Sequence, residues 1–153
     1  MQPVETFALL DGGSGATLID KQFFDQLNLG GREEKLLLQW TKGITREEIS
    51  TCSSIKISAA HNRKQFELQG IYTVDELSLP VQSRDVAKLQ KRFNYLRGLP
   101  ISDLKKAKPT ILIGLEHAKL LVETRTRQGG DNDPLASKTP LGWIVWGKPS
   151  ASV

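Results

Sequence analysis

The sequence predicts a mostly β protein carrying one inserted amphipathic helix, and three observations lead there. From Leu36 to Val74, short apolar stretches alternate with polar residues and are separated by turn-forming tips, the pattern of a hairpin meander. Thr110-Ile111-Leu112-Ile113-Gly114 is a wholly apolar run stopped by glycine, as in a strand buried on both faces. From Ser83 to Leu96, Val86, Leu89, Phe93 and Leu96 recur at three- and four-residue spacing, with basic residues on the other faces.

The chain has 153 residues, enough for a single domain with a real core, expected over residues 1–148 with a frayed tail at 149–153. Hydrophobic residues make up 39% and charged residues 25%, the balance of a globular chain rather than a disordered one. No apolar run approaches the roughly 20 residues that cross a bilayer. Met1-Gln2-Pro3-Val4-Glu5-Thr6 lacks the basic and apolar regions of a signal peptide. Cys52 is the only cysteine, so internal disulfides and cysteine-based metal clusters are excluded, which fits a reducing compartment. The net charge is +4, but the basic residues are spread from Lys21 to Lys148 and mixed with acids. They do not form the clustered footprint of a nucleic-acid binder, and no nucleic-acid partner is expected.

In chain order, Val4 to Leu10 reads as a strand and Thr17 to Ile19 as a second. Asp20 is placed to cap a short helix through about Leu27, with Phe23, Phe24 and Leu27 on one buried face. Asn28-Leu29-Gly30-Gly31 ends it with residues that tolerate left-handed backbone. Leu36 to Trp40 is the next strand, Thr41 to Glu48 a polar hairpin tip, and Ile55 with Ile57 a half-buried strand. After a turn at 60–64, Phe66, Leu68, Ile71, Tyr72 and Val74 suggest two short strands around Gly70. The helix at Ser83–Leu96 stops before Gly98 and Pro100. A polar connector follows at 105–109, then the buried strand. Val122 to Arg127 is read as a strand, 128–134 as a mobile loop, and Leu141 to Gly147 as a closing strand.

The residues that suggest chemistry lie in Phe7-Ala8-Leu9-Leu10-Asp11-Gly12-Gly13-Ser14-Gly15-Ala16-Thr17. An apolar strand here delivers a carboxylate into a glycine-rich bend, where backbone N–H groups can surround it. Three readings compete. A phosphate-binding turn has the right order of strand, glycines and helix, but matches neither the dinucleotide fingerprint nor the P-loop. An ordinary Asp–Gly turn capping its own loop is the commonest fate of such residues. The third is an aspartic-peptidase loop, in which two carboxylates about 3 Å apart share one proton. No second apolar-Asp-Gly-Gly segment occurs in the chain, so this chemistry requires a symmetric dimer with one Asp11 from each copy.

Three ordered motifs make the third reading more specific: Ala8-Leu9-Leu10-Asp11-Gly12-Gly13-Ser14, Ile111-Leu112-Ile113-Gly114, and Thr139-Pro140-Leu141-Gly142-Trp143-Ile144-Val145-Trp146-Gly147. Together with Leu38-Gln39-Trp40-Thr41-Lys42-Gly43 and Arg92 to Pro100, they resemble the retropepsin-type aspartic peptidase domain of BEL/Pao retrotransposon polyproteins, over nearly the whole chain. The resemblance implies a closed β-barrel acid-peptidase fold with a flap hairpin. It also implies an endopeptidase that acts as a homodimer on extended peptide segments of a Gag-Pol polyprotein, without cofactor, in the cytoplasm or in a virus-like particle. By carry-over, Asp11 is the catalytic aspartate, Gly12, Gly13 and Ser14 form its loop, and Ile113 and Gly114 support it from behind. Trp40, Thr41, Lys42, Gly43 and Ile44 fall where the flap meets substrate.

One position departs from the family. Where Asp-Ser-Gly or Asp-Thr-Gly is usual, Gly12 supplies no hydroxyl to bond across the dimer, and Ser14 is the nearest candidate to replace it. The alternative expectation is therefore a retropepsin-like dimerisation or binding module that does not cleave. His61 and His117 have no ligand spacing around them, so no metal site is expected. Glu116 reads as a surface or cap residue, and Cys52 as part of the hairpin stem. Trp143 and Trp146 should lie on opposite faces of one strand, leaving at least one exposed or covered by a partner.

Overall fold

Strands dominate the computed structural model, which describes residues 2–39, 43 and 45–147; 43% of these lie in strands and 16% in helices. The mostly β class expected from the hairpin meander is what the protein adopts. The chain divides into two compact units, one of Met1–Ile57, Gln65–Pro80 and Lys108–Ala118, the other of Ser58–Lys64, Val81–Ala107 and Lys119–Val153.

The first unit is built on a six-stranded sheet. Its strands are β1 (Ala8–Leu10), β2 (Leu18–Asp20), β3 (Arg32–Gln39), β4 (Thr45–Ser58), β5 (Gln65–Val74) and β8 (Ile111–Ile113), ordered β1-β8-β2-β5-β4-β3. β8 runs parallel to β1, pairing Ala8 with Ile111 and Leu10 with Ile113, and antiparallel to β2. It is buried throughout, as its all-apolar sequence requires. The sheet is open, with β1 and β3 at its edges, and the expected closed barrel does not form among the described residues.

Alternation decides which residues of β3 face inward. Leu36 and Leu38 pack with Val74, Leu77 and Leu112, together with Leu9, Leu18 and Leu79, while Leu37 between them stays 67% exposed. The β3–β4 hairpin is in register from Arg32–Cys52 at its stem to Gln39–Thr45 at its tip, which puts Cys52 in the stem. Of the tip, Gly43 is described, with the positive φ of 73° that glycine accommodates. Trp40, Thr41, Lys42 and Ile44 lie outside the described residues, as does the tail at 149–153. Gly70, at φ 69°, sits within the continuous strand β5 rather than between two strands as expected. Glycine accommodates that φ, and the strand continues through it.

The helix α1 (Lys21–Gln26) starts at Asp20, whose side chain accepts from the N–H groups of Gln22 and Phe23. It buries Phe24 but only half-buries Phe23 and Leu27, so the buried face is narrower than expected. Asn28 follows at φ 53°.

The second unit contains two small sheets, β6 (Gln82–Arg84) with β7 (Leu104–Ala107), and β11 (Gly142–Trp146), β10 (Leu135–Thr139), β9 (Arg125–Arg127) in that order. The expected helix over Ser83–Leu96 is shorter. Ser83 belongs to β6, α2 spans Val86–Arg92 from an Asp85 cap, and a 3₁₀ turn takes Asn94–Leu96. Phe93 separates them in extended backbone, φ −119° and ψ 96°. Val86, Phe93 and Leu96 still reach one core with Leu99, Ile101 and Ala136, because helix, break and 3₁₀ turn preserve their common face. Trp143 and Val145 pack on that core. Trp146, on the opposite face, is exposed and donates its indole N–H to Ser137 Oγ at 2.7 Å.

Candidate active site

The Asp11 turn begins where the β1–β8 ladder ends. Asp11 N–H donates to the Ile113 carbonyl at 2.9 Å, extending the parallel pairing one step beyond Leu10. The chain then reverses. Ser14 N–H donates to the Asp11 carbonyl at 3.2 Å, and Gly13 N–H to Asp11 Oδ1 at 2.8 Å. The half-buried carboxylate is thus held by a backbone donor of its own loop. That bond alone is what any Asp–Gly turn makes.

What distinguishes this turn is the segment packed behind it. Leu115 N–H donates to the Ser14 carbonyl at 2.8 Å and Glu116 N–H to the Gly15 carbonyl at 3.0 Å. Gly114 lies between the strand and these two bonds, and a Cβ there would stand 2.3 Å from the Ala16 carbonyl and 2.6 Å from that of Ser14. Only glycine permits the approach. Asp11, Gly13, Ile113 and Gly114 are therefore brought together as the sequence motifs suggested.

Gly12 differs from its neighbours. A Cβ at Gly12 would meet nothing within 4 Å, and its φ is not in the left-handed region, so the fold does not require glycine here. Ser14 does not present a free hydroxyl in its place, since its Oγ donates to the Ala16 carbonyl at 2.8 Å. Glu116 is exposed, as expected of a surface residue.

Thr17 is the residue that sequence reasoning missed. It is fully buried and its hydroxyl accepts the Gly114 N–H at 3.1 Å, tying the start of β2 to the glycine behind the turn. The only signal in the sequence is a hydroxyl at the junction of small residues and an apolar run. Among the described residues no cluster of His, Cys, Asp and Glu suits a metal ion, and no helix is long and apolar enough to cross a membrane.

A shallow cavity of about 190 Å³ lies beside α1, lined by Asp20, Gln22, Phe23, Gln26 and Lys108–Thr110. The Asp20 carboxylate there already caps the helix and accepts from Leu77 N–H, so the cavity offers no free charged group from that residue. In comparisons with known proteins, the chain matches no protein-family model, no curated protein and no solved structure.

Proposed function

We propose that this chain is a retropepsin-type aspartic endopeptidase that processes a retrotransposon Gag-Pol polyprotein as a homodimer, one Asp11 from each copy. The observation that carries the reading is the turn itself. A carboxylate held by Gly13 N–H stands at the end of a parallel strand pair, fixed from behind by a glycine that admits no side chain. An ordinary Asp–Gly turn needs none of that support.

In the proposed reaction the two Asp11 carboxyls share one proton across the two-fold axis. The ionised carboxylate removes a proton from water as the water oxygen attacks the peptide carbonyl. The protonated carboxyl gives its proton to the carbonyl oxygen. The resulting gem-diol then collapses to a carboxylic acid, the C–N bond breaking as the nitrogen takes the proton that the dyad removed from water and leaves as the amine. Substrate lies extended beneath the β3–β4 hairpin, with the flap contacts assigned to Trp40, Thr41, Lys42, Gly43 and Ile44. This reading places the molecule in the cytoplasm, within its polyprotein or a virus-like particle.

Asp11→Asn tests it. The substitution abolishes peptide cleavage and leaves the fold intact; cleavage that survives overturns the assignment. Gly12 supports a second reading, a retropepsin-like dimerisation or binding module. Because Gly12 has open space around its Cβ position, Gly12→Ser adds the missing hydroxyl without disturbing the turn. A gain of about tenfold or more in cleavage would show the native loop to be impaired, since tenfold is what about 1.4 kcal/mol of added stabilisation yields.

A further inference from the structure

We propose that His117 is a positioning residue for the Asp11 turn, acting through Thr17. Its imidazole stands between two fixed groups of the first unit. Nε2 is 3.0 Å from the Gln69 carbonyl of β5, and Nδ1 is 2.6 Å from Thr17 Oγ1. A carbonyl only accepts, so Nε2 carries a proton. In the neutral ring Nδ1 is then an acceptor, and the Thr17 hydroxyl donates to it.

That assignment fixes the whole relay. With its proton directed at the imidazole, Thr17 Oγ1 turns a lone pair toward the Gly114 N–H, 3.1 Å away. Gly114 follows Ile113, whose carbonyl holds the Asp11 N–H, and precedes Leu115, whose N–H holds the Ser14 carbonyl. The order Gln69–His117–Thr17–Gly114 therefore connects a long central strand to the backbone on which the carboxylate turn rests. His117 is also the one residue with non-helical backbone (φ −118°, ψ 47°) inside the 3₁₀ turns over Leu115–Leu121, and its own N–H returns to the Gly114 carbonyl at 3.0 Å.

A side chain that merely filled space would not need two nitrogens at opposite ends. Replacing the ring with an apolar group would leave the proton of the Thr17 hydroxyl without its acceptor, on a completely buried residue. His117 touches no reacting atom in this scheme. Its effect on cleavage rests on the peptidase reading, whereas its effect on the turn does not.

The test uses the full chain with His117→Ala, His117→Asn, Thr17→Val and Thr17→Ser, read by amide hydrogen exchange, imidazole ¹⁵N NMR and peptide cleavage. In the native protein the His117 ring is the Nε2–H tautomer. In His117→Ala and Thr17→Val, exchange at Gly114, Asp11 and Leu115 rises about tenfold or more, while Leu68 and Ile71 of β5 change less than about twofold. His117→Asn keeps an acceptor near the Nδ1 position and restores most of the protection; Thr17→Ser keeps it as well. Where the native chain cleaves peptide, kcat falls about tenfold in His117→Ala with KM nearly unchanged. An Nδ1–H tautomer, a loss of protection spread evenly over β5, or unchanged exchange at Gly114 overturns the proposal. Should His117→Ala fail to fold, the contrast between Thr17→Val and Thr17→Ser decides it. A native chain that cleaves nothing defeats the peptidase reading, and the exchange pattern still decides the role of His117.

Discussion

The two units are fastened in different ways. In the first, backbone joins backbone in the six-stranded ladder, in Asp11 N–H to Ile113 and in Leu115 N–H to Ser14, and mostly short side chains such as Ser14, Ser50 and Ser53 add bonds to carbonyls. In the second, where sheets have only two or three strands, side chains reach for main-chain carbonyls. Arg84 bonds the Ser102 carbonyl through Nε and Nη2, Gln90 Nε2 bonds those of Leu96 and Leu99, and Arg97 Nε bonds that of Gln90. Tyr95 hydroxyl bonds the Pro134 carbonyl. The Arg84 guanidinium is held below its ordinary range by burial, with Asp103 opposing that shift. Long side chains thus add bonds to carbonyls outside the regular ladders, those of Leu96 and Leu99 also accepting backbone N–H groups. The first unit is therefore sensitive to added bulk at Gly114 and to loss of the Thr17–His117 pair, and the second to lost long side chains.

Substitutions can break this contrast. The largest effect is expected in the core of the second unit, where Leu96 is fully buried. Leu96→Ala should cost about 3 kcal/mol of unfolding free energy, read from urea titration. Gly114→Ala should cost about 2 kcal/mol in the first unit, since its Cβ would press on two backbone carbonyls that cannot rotate away. A Gly114→Ala protein as stable as the native one would show that the turn is not held from behind. Tyr95→Phe is milder, about 1 kcal/mol, for one hydrogen bond.

The last substitution also carries a pH signature. Burial first, and the charge of Asp133 second, push the Tyr95 phenol above its ordinary value of 10.0. The folded state thus favours the neutral phenol. Its contribution is complete below pH 10 and is lost as pH rises through the raised value. Tyr95→Phe should remove that part of the alkaline loss, seen as a flatter stability profile above pH 10.

Much of this was legible in the sequence where the physics is local. Leu36 to Leu38 read as a strand, though three leucines in a row hide which face is buried; Ile111 to Ile113 are apolar because both faces are covered, and Asp20 caps the helix that follows it. The expected helix at 83–96 ran too long because Val86, Leu89, Phe93 and Leu96 keep their spacing through the break at Phe93. Ser83 pairs with a strand twenty residues on, its Oγ accepting Lys106 N–H at 3.0 Å. No periodicity announces such a partner. β10 escaped notice since Ala136 and Ser137, both fully buried, are small and show no alternation of apolar and polar character. At the site, Asp11 and Gly114 stand out as motif residues. The Thr17–His117 contact does not, because it joins residues separated by 100 positions.

That separation has a consequence for how the protein acquires its site. The Asp11 turn needs Ile113, Gly114 and Leu115, so a nascent chain that has reached Ala107 holds the aspartate without its support. Loop-closure entropy grows only slowly with length, but long-range contacts of this kind slow folding. A chain truncated between β2 and β8 would leave the aspartate at the end of a strand whose neighbour in the described sheet is missing.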